Sequence, residues 1–165
     1  MSSISIDKTM LHHVIVEKLT HLHSVALSAT QTAIDTATDQ ENAPEHKYDT
    51  LSLEAAYLAH GQAQRLQQCA KDINTFKSLP IKHFSEEDLC SLGALIEVND
   101  ENDEHKWFFI SPVAGGLRFD FNGILIQLVT SESPLGKGLV KSRVGDEFDM
   151  NIADHQKTYE IMTLL

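Results

Sequence analysis

The sequence predicts an α+β protein in which an N-terminal antiparallel coiled-coil hairpin precedes an antiparallel-sheet domain. Apolar residues recur every three or four positions through much of residues 11–76, which is the spacing of one helix face. After residue 92 they form short alternating or continuous runs with the length of strands. Pro80 interrupts the helical pattern, so we divide the chain into residues 1–79 and residues 80–165.

Two long helices are predicted before this boundary. Their apolar stripes are Leu11, Ile15, Leu19, Leu22, Ala26, Ala29, Ala33 and Ala37 in the first helix, and Leu53, Ala56, Ala59, Ala63, Leu66, Ala70, Ile73 and Phe76 in the second. Residues 38–50 have no apolar period and contain Pro44, so they form the tip. A continuous first helix would reach roughly 40 Å at a rise of about 1.5 Å per residue. The alternative interpretation of these stripes is a protein-protein interaction module with a coiled-coil dimerisation arm.

Five strands and one short helix are predicted after the boundary. The strands cover residues 94–98, 106–111, 124–129, 147–152 and 159–164. Ser133 followed by Pro134 is typical of a helix N-cap with proline at the first helical position, so the short helix begins there and ends by Gly145. We interpret Gly115-Gly116 as a turn between strands, because no helix start follows it.

Composition excludes several classes of function. With 24 acidic and 13 basic side chains, the net charge of -11 opposes binding to phosphate backbones, so we expect no direct sequence-specific contact with nucleic acid. No stretch approaches the roughly 18 apolar residues of a membrane span. Residues 1–7 lack the pattern of a secretion signal, so we expect a cytoplasmic protein without membrane contact. No nucleophile with a base, metal motif or phosphate loop is evident, so we expect no intrinsic catalytic residue, cofactor or metal.

Several segments resemble the Gre transcript-cleavage factors. In the family's order they are residues 92–98, 133–140, 144–148 and 159–161, and residues 53–59 are similar to the family's acidic-Ala-Tyr stretch after the tip. The resemblance implies an FKBP-like C-terminal fold without isomerase activity. It also implies a bacterial transcription regulator whose partner is RNA polymerase, and we expect a monomer.

The resemblance further implies a division of labour between the two domains. The C-terminal domain would dock at the rim of the secondary channel of RNA polymerase, and Ser133, Pro134 and Leu135 are the candidate contacts. The coiled-coil finger would enter that channel and modulate elongation, transcript cleavage or initiation.

The tip departs from the family's pattern. In the cleavage factors, an Asp and a Glu three residues apart help to hold a second Mg²⁺ in the polymerase active site. Alignment on Tyr57 puts Thr50 and Leu53 at those two positions. The nearest acids, Asp49 and Glu54, are five residues apart, a step that turns by about 140° around a helix.

Asp49 and Glu54 are nevertheless the best candidates for sharing Mg²⁺ with the polymerase, followed by Glu45 and Glu41. At most, the protein would stimulate the polymerase's own RNA cleavage. The altered spacing slightly favours a channel-occupying inhibitor or an initiation regulator over a cleavage factor.

Overall fold

The computed structural model describes residues 4–38 and 50–165. The chain forms two compact units, which we call the sheet unit (Met1–Ile15 and Thr75–Leu165) and the hairpin unit (Val16–Asn74). Helices α1 (Lys8–Thr38) and α2 (Thr50–Lys77) each contribute residues to both units. The division between the two compact units therefore lies within α1 and α2, and the domain boundary at Pro80 stays a prediction.

The hairpin unit contains most of α1 and α2, and the stripe predicted for α1 is confirmed. Leu19, Ala26 and Ala33 are buried there, and Leu22 and Ala29 are partly buried. One groove is lined by residues late in α1, such as Ala33, and by residues early in α2, such as Leu58. The two arms of an antiparallel hairpin require this proximity.

The stripe predicted for α2 is correct from Ala59 onward but wrong at its start. Leu53 is 54% exposed and Ala56 is also exposed, whereas Ala55 and Gln62 are partly covered. Both alternatives satisfy the helical spacing, because position 59 is four residues after 55 and three after 56. The periodicity alone therefore could not select the covered face in the first turns.

The sheet unit is built on a six-stranded sheet in the order β3-β4-β2-β1-β6-β5. The elements are β1 (Leu95–Asp100), β2 (His105–Ile110), β3 (Arg118–Phe121), β4 (Ile124–Val129), α3 (Pro134–Leu139), β5 (Glu147–Ile152) and β6 (His155–Leu164). The α+β class and the five predicted strands are confirmed. Helix α3 ends at Leu139, earlier than predicted, and Gly145 with φ +91° lies in the turn before β5.

The sheet is mixed, which corrects the prediction of a purely antiparallel sheet. Strand β2 pairs with β4 in parallel, whereas every other adjacent pair is antiparallel. The difference arises from β3, a short strand that the sequence analysis missed. Asn122 and Gly123 turn β3 back into β4 with positive φ angles of 52° and 84°. Because β4 lies beside β2 and β3 lies at the edge, two chain reversals return β4 to the direction of β2.

The sheet separates two apolar layers. On one face, α3 and the sheet enclose a core that includes Ile96, Phe108 and Ile161. On the other face, Phe109 contacts Phe76 of α2, with 5.9 Å between ring centroids. Both layers exclude water from the central strands, so the sheet unit can hold surface side chains in fixed positions.

Candidate functional site: a groove on the sheet unit and the hairpin tip

A groove on the α3 side of the sheet unit contains the residues predicted to dock. Its first part has a volume of 540 Å³. Strand β4 supplies the floor at Gln127 and Val129, the start of α3 supplies one wall, and the end of β5 supplies the other wall with Met150 and Asn151. Ser133, Pro134 and Leu135 all line this part, so the structure brings the three candidates together.

Ser133 is the N-cap of α3, as predicted. Its hydroxyl oxygen accepts a hydrogen bond from the Gly136 amide at 3.0 Å, and the hydroxyl donates to the Thr130 carbonyl at 2.8 Å. These bonds use the hydroxyl within the fold, so Ser133 positions the wall. Pro134 is exposed beside it, and Leu135 is partly buried against the core. Of the three candidates, Pro134 and Leu135 therefore have side-chain surface that a partner protein can contact.

Gly136 fixes how closely α3 approaches the sheet. A Cβ atom at this position would lie 1.9 Å from the Thr130 carbonyl oxygen, far inside van der Waals contact. Only glycine permits this approach without a backbone shift. The wall of the groove therefore depends on a backbone contact that the sequence motif did not reveal.

The second part of the groove carries positive charge. This cavity of 350 Å³ shares Gln127, Leu135 and Met150 with the first part, so the two are continuous. Lys106 and Arg118 line it. The sequence analysis missed these cations, because Arg118 lies on the unpredicted strand β3 and meets Gln127 only through pairing with β4. The Asn122-Gly123 turn signal after an alternating run could have identified β3 from sequence.

The tip candidates are only partly described. Glu41, Glu45 and Asp49 lie outside the described residues. Glu54 is an exposed residue near the start of α2, and Leu53 beside it is also exposed. Within residues 4–38 and 50–165, no group of three or more His, Cys, Asp or Glu side chains could hold a metal ion. A shared Mg²⁺ therefore stays a prediction.

Two polar side chains are buried where α1 joins the sheet unit. The Lys8 amine donates hydrogen bonds to the backbone oxygens of Lys82, Gly93 and Leu165, and burial lowers its pKa to about 8. His12 packs between Phe76 and Phe109, and its pKa is lowered by burial and then by the charge of Lys8. We assign Lys8 and His12 a structural role, since neither side chain lines the groove.

No protein-family model matches the chain. The chain is 24% identical over 118 residues to the transcription elongation factor GreA of Clostridium acetobutylicum, covering 72% of this chain and 68% of that protein. It is 27% identical over 117 residues to GreA of Clostridium botulinum, covering 70% of this chain and 66% of that protein.

Two solved structures are similar at low identity. One is the GreA factor homolog 1 (Gfh1) of Thermus thermophilus, with 15% identity, a TM-score of 0.39 and coverage of 91% of this chain and 94% of that one. The other is Thermus aquaticus Gfh1, with 17% identity, a TM-score of 0.39 and coverage of 90% and 92%. These TM-scores are too low to support the fold assignment, which rests on the described helices and strands.

The described elements define a class of protein with a long helical hairpin joined to a small α+β unit that carries a surface groove. Within that class, the chain is Gre-like in sequence, since the relatives that it matches are GreA elongation factors at 24% and 27% identity. Among the described residues, no helix has both the length and the apolar character needed to cross a membrane.

Proposed function

We propose that the chain is a cytoplasmic transcription elongation factor that acts on bacterial RNA polymerase. The observation that carries this proposal is the match over 118 residues to an elongation factor. The groove of the sheet unit docks on the polymerase, and the hairpin enters its secondary channel. The chain has no catalytic activity in this role, because it acts by changing what the polymerase active site does.

The chemistry of the hairpin supports its use as an inserted finger. Residues 19–34 of α1 and residues 55–64 of α2 contain no Asp, Glu, Lys or Arg. Moving an ionised side chain from water into a protein-lined space carries a desolvation penalty, which these segments avoid. Exposed apolar side chains such as Leu27 and Leu58 are then available to contact the channel wall.

Channel occupancy is the dominant effect in this proposal. Two-metal hydrolysis needs carboxylates that reach one Mg²⁺ together. Thr50 and Leu53 occupy the positions of the family's two acids, and the exposed Glu54 lies one residue later. Asp49 and Glu54 therefore act as weak Mg²⁺ ligands at best, and the finger chiefly obstructs the channel.

The tip is tested by changing Asp49→Asn and Glu54→Gln together, which removes both charges and keeps the side-chain shapes. We expect unchanged affinity for polymerase and unchanged inhibition of RNA synthesis, together with little RNA shortening by either the wild type or the variant. The measurements are polymerase binding and transcript length in stalled elongation complexes. Asp72→Asn is the matched control, because this partly buried carboxylate lies far along α2, where it accepts a hydrogen bond from the Gln68 side-chain amide.

Strong RNA shortening by the wild-type chain that the double change abolishes, but Asp72→Asn does not, would show that this protein is a cleavage factor. It would reject channel occupancy as the main effect. Absence of any polymerase binding by the wild-type chain would reject the proposed function as a whole.

A second candidate function is supported by the exposed apolar side chains of the hairpin unit. They are Val25, Leu27, Ile34, Leu53, Tyr57 and Leu58, each more than two fifths exposed. Such a surface is also suited to pairing hairpins from two copies of the chain. Sedimentation equilibrium separates the candidates, because a dimerisation arm requires a stable dimer, whereas a polymerase-binding finger functions as a monomer.

A further inference from the structure

The cationic end of the groove is unusual for this chain. The net charge is -11, yet the described residues that line the two parts of the groove include Lys106 and Arg118 and no Asp or Glu. A carboxylate ligand would therefore meet two positive charges there without a lining carboxylate to repel it. Long-range attraction between complementary charges also favours productive encounters.

Both cations are held in position by uncharged neighbours. The Arg118 Nε donates to the Gln127 Oε1 at 3.1 Å, and the terminal guanidinium nitrogens take no part in this bond, so they can bind a ligand. The Lys106 amine donates to the Tyr159 hydroxyl at 3.5 Å and lies 5.6 Å from the centre of the Tyr159 ring. Among the described residues, neither cation forms an ion pair.

The acidic side chain that interacts electrostatically with Lys106 already has a structural role. Asp100 is buried, accepts hydrogen bonds from the Asn102 and Glu104 amides at 2.9 and 3.0 Å, and lies 3.9 Å from the Lys157 amine. Asp100 therefore stabilises the β1–β2 turn and leaves Lys106 able to bind a second carboxylate.

Apolar surface lies beside the two cations. Leu125 is 61% exposed in the same cavity, and Leu135 and Met150 are partly buried around it. Methionine adapts its shape to different apolar partners. The cavity of 350 Å³ is large enough for one or two side chains of a ligand.

We propose that this groove binds an acidic segment of a protein partner, in which a Glu or Asp carboxylate pairs with Arg118 and Lys106 and an adjacent apolar side chain packs on Leu125, Leu135 and Met150. Nucleic acid is disfavoured, because two cations in an acidic chain cannot replace the counterions of a phosphate backbone. The inference rests on the proposed function only for the partner's identity, which would be a surface segment of RNA polymerase.

Isothermal titration calorimetry measures groove occupancy without depending on the position of a fluorophore. The full-length protein is titrated with the peptide acetyl-Glu-Leu-Glu-Leu-Glu-amide, with its Gln-Leu-Gln-Leu-Gln counterpart and with a single-stranded oligouridylate. We expect a saturable heat change with the Glu peptide and an affinity about tenfold higher than for the Gln peptide.

The variant that carries both Lys106→Gln and Arg118→Gln should bind the two peptides equally. Arg143→Gln removes an exposed arginine outside the groove and should leave the roughly tenfold preference intact. Circular dichroism confirms that each variant is folded. Equal binding of both peptides to the wild type, no saturable change, or tighter binding of the oligouridylate would overturn the proposal.

Binding of each variant to RNA polymerase core enzyme separates this proposal from the proposed function. If the wild type binds polymerase and the double variant binds about tenfold more weakly, with a shallower salt dependence, the groove is the docking site. If the Glu peptide binds but polymerase does not, the groove chemistry is correct and the proposed function is wrong. If polymerase binds wild type and double variant equally, the groove is not the docking site.

Discussion

The sheet unit and the hairpin unit are stabilised in different ways. In the sheet unit, large side chains such as Ile96, Phe109 and Ile110 are fully buried on the two faces of the sheet. In the hairpin unit, the buried positions towards the tip are the small residues Ala26, Thr30 and Ala33, while larger side chains remain exposed. Burial of a large apolar side chain contributes about 1.5–3 kcal/mol, and an alanine contributes much less.

This difference fits the proposed division between docking and insertion. A densely packed sheet holds the walls of a groove in place, because moving one wall would open cavities in the core. The small buried residues of the hairpin unit bury less apolar area, so intrinsic helix propensity contributes more of the stability of the hairpin. Variants in the two units can test this contrast.

The largest single effect is expected from one of two matched isoleucine truncations. Ile96→Ala empties a fully buried site in the sheet unit and should lower the free energy of unfolding by about 3–4 kcal/mol. Ile34→Ala, at a site 41% exposed in the hairpin unit, should cost less than about 1 kcal/mol. Urea unfolding followed by Trp107 emission and circular dichroism measures both. Equal losses would show that the hairpin packs as densely as the sheet unit.

Two glycine substitutions have smaller individual effects, which are of opposite sign in the two units. Gly136→Ala should destabilise the sheet unit by about 2–3 kcal/mol, since its Cβ would collide with the Thr130 carbonyl oxygen. Gly61→Ala in α2 meets nothing within 4 Å and should stabilise the hairpin unit by about 1 kcal/mol through helix propensity. Thermal unfolding of both variants tests the signs. A destabilising Gly61→Ala would indicate that this part of α2 is closely covered.

The last contrast is a pH dependence from Lys8. Its pKa falls from 10.5 to about 8 on burial, so between these values the folded state binds fewer protons than the unfolded state. Stability from this group therefore rises with pH across that window, and the penalty of burying the charge is fully present below it. The wild type should gain stability relative to Lys8→Met between about pH 8 and about pH 10. Lys18→Met, at an exposed site, is the control and should show no such difference.

The candidate site was predictable where one local pattern sufficed. The pair Ser133-Pro134 identified the start of α3, and these residues do lie on the wall of the groove. The cationic end was not predictable in the same way, because Lys106 and Arg118 come together across strands β2, β4 and β3. The acids at the tip could be identified only as candidates, since their value as ligands depends on directions that spacing does not determine.

By itself, the sequence determined the two long helices, five of the six strands and the apolar stripe of α1, because each depends on the period of a continuous segment. The tertiary structure decided what depends on contacts between distant segments. It set the covered face at the start of α2, the parallel pairing of β2 with β4 and the contact of Gly136 with Thr130. A local period permits several partners equally well, and only packing of the whole chain distinguishes them.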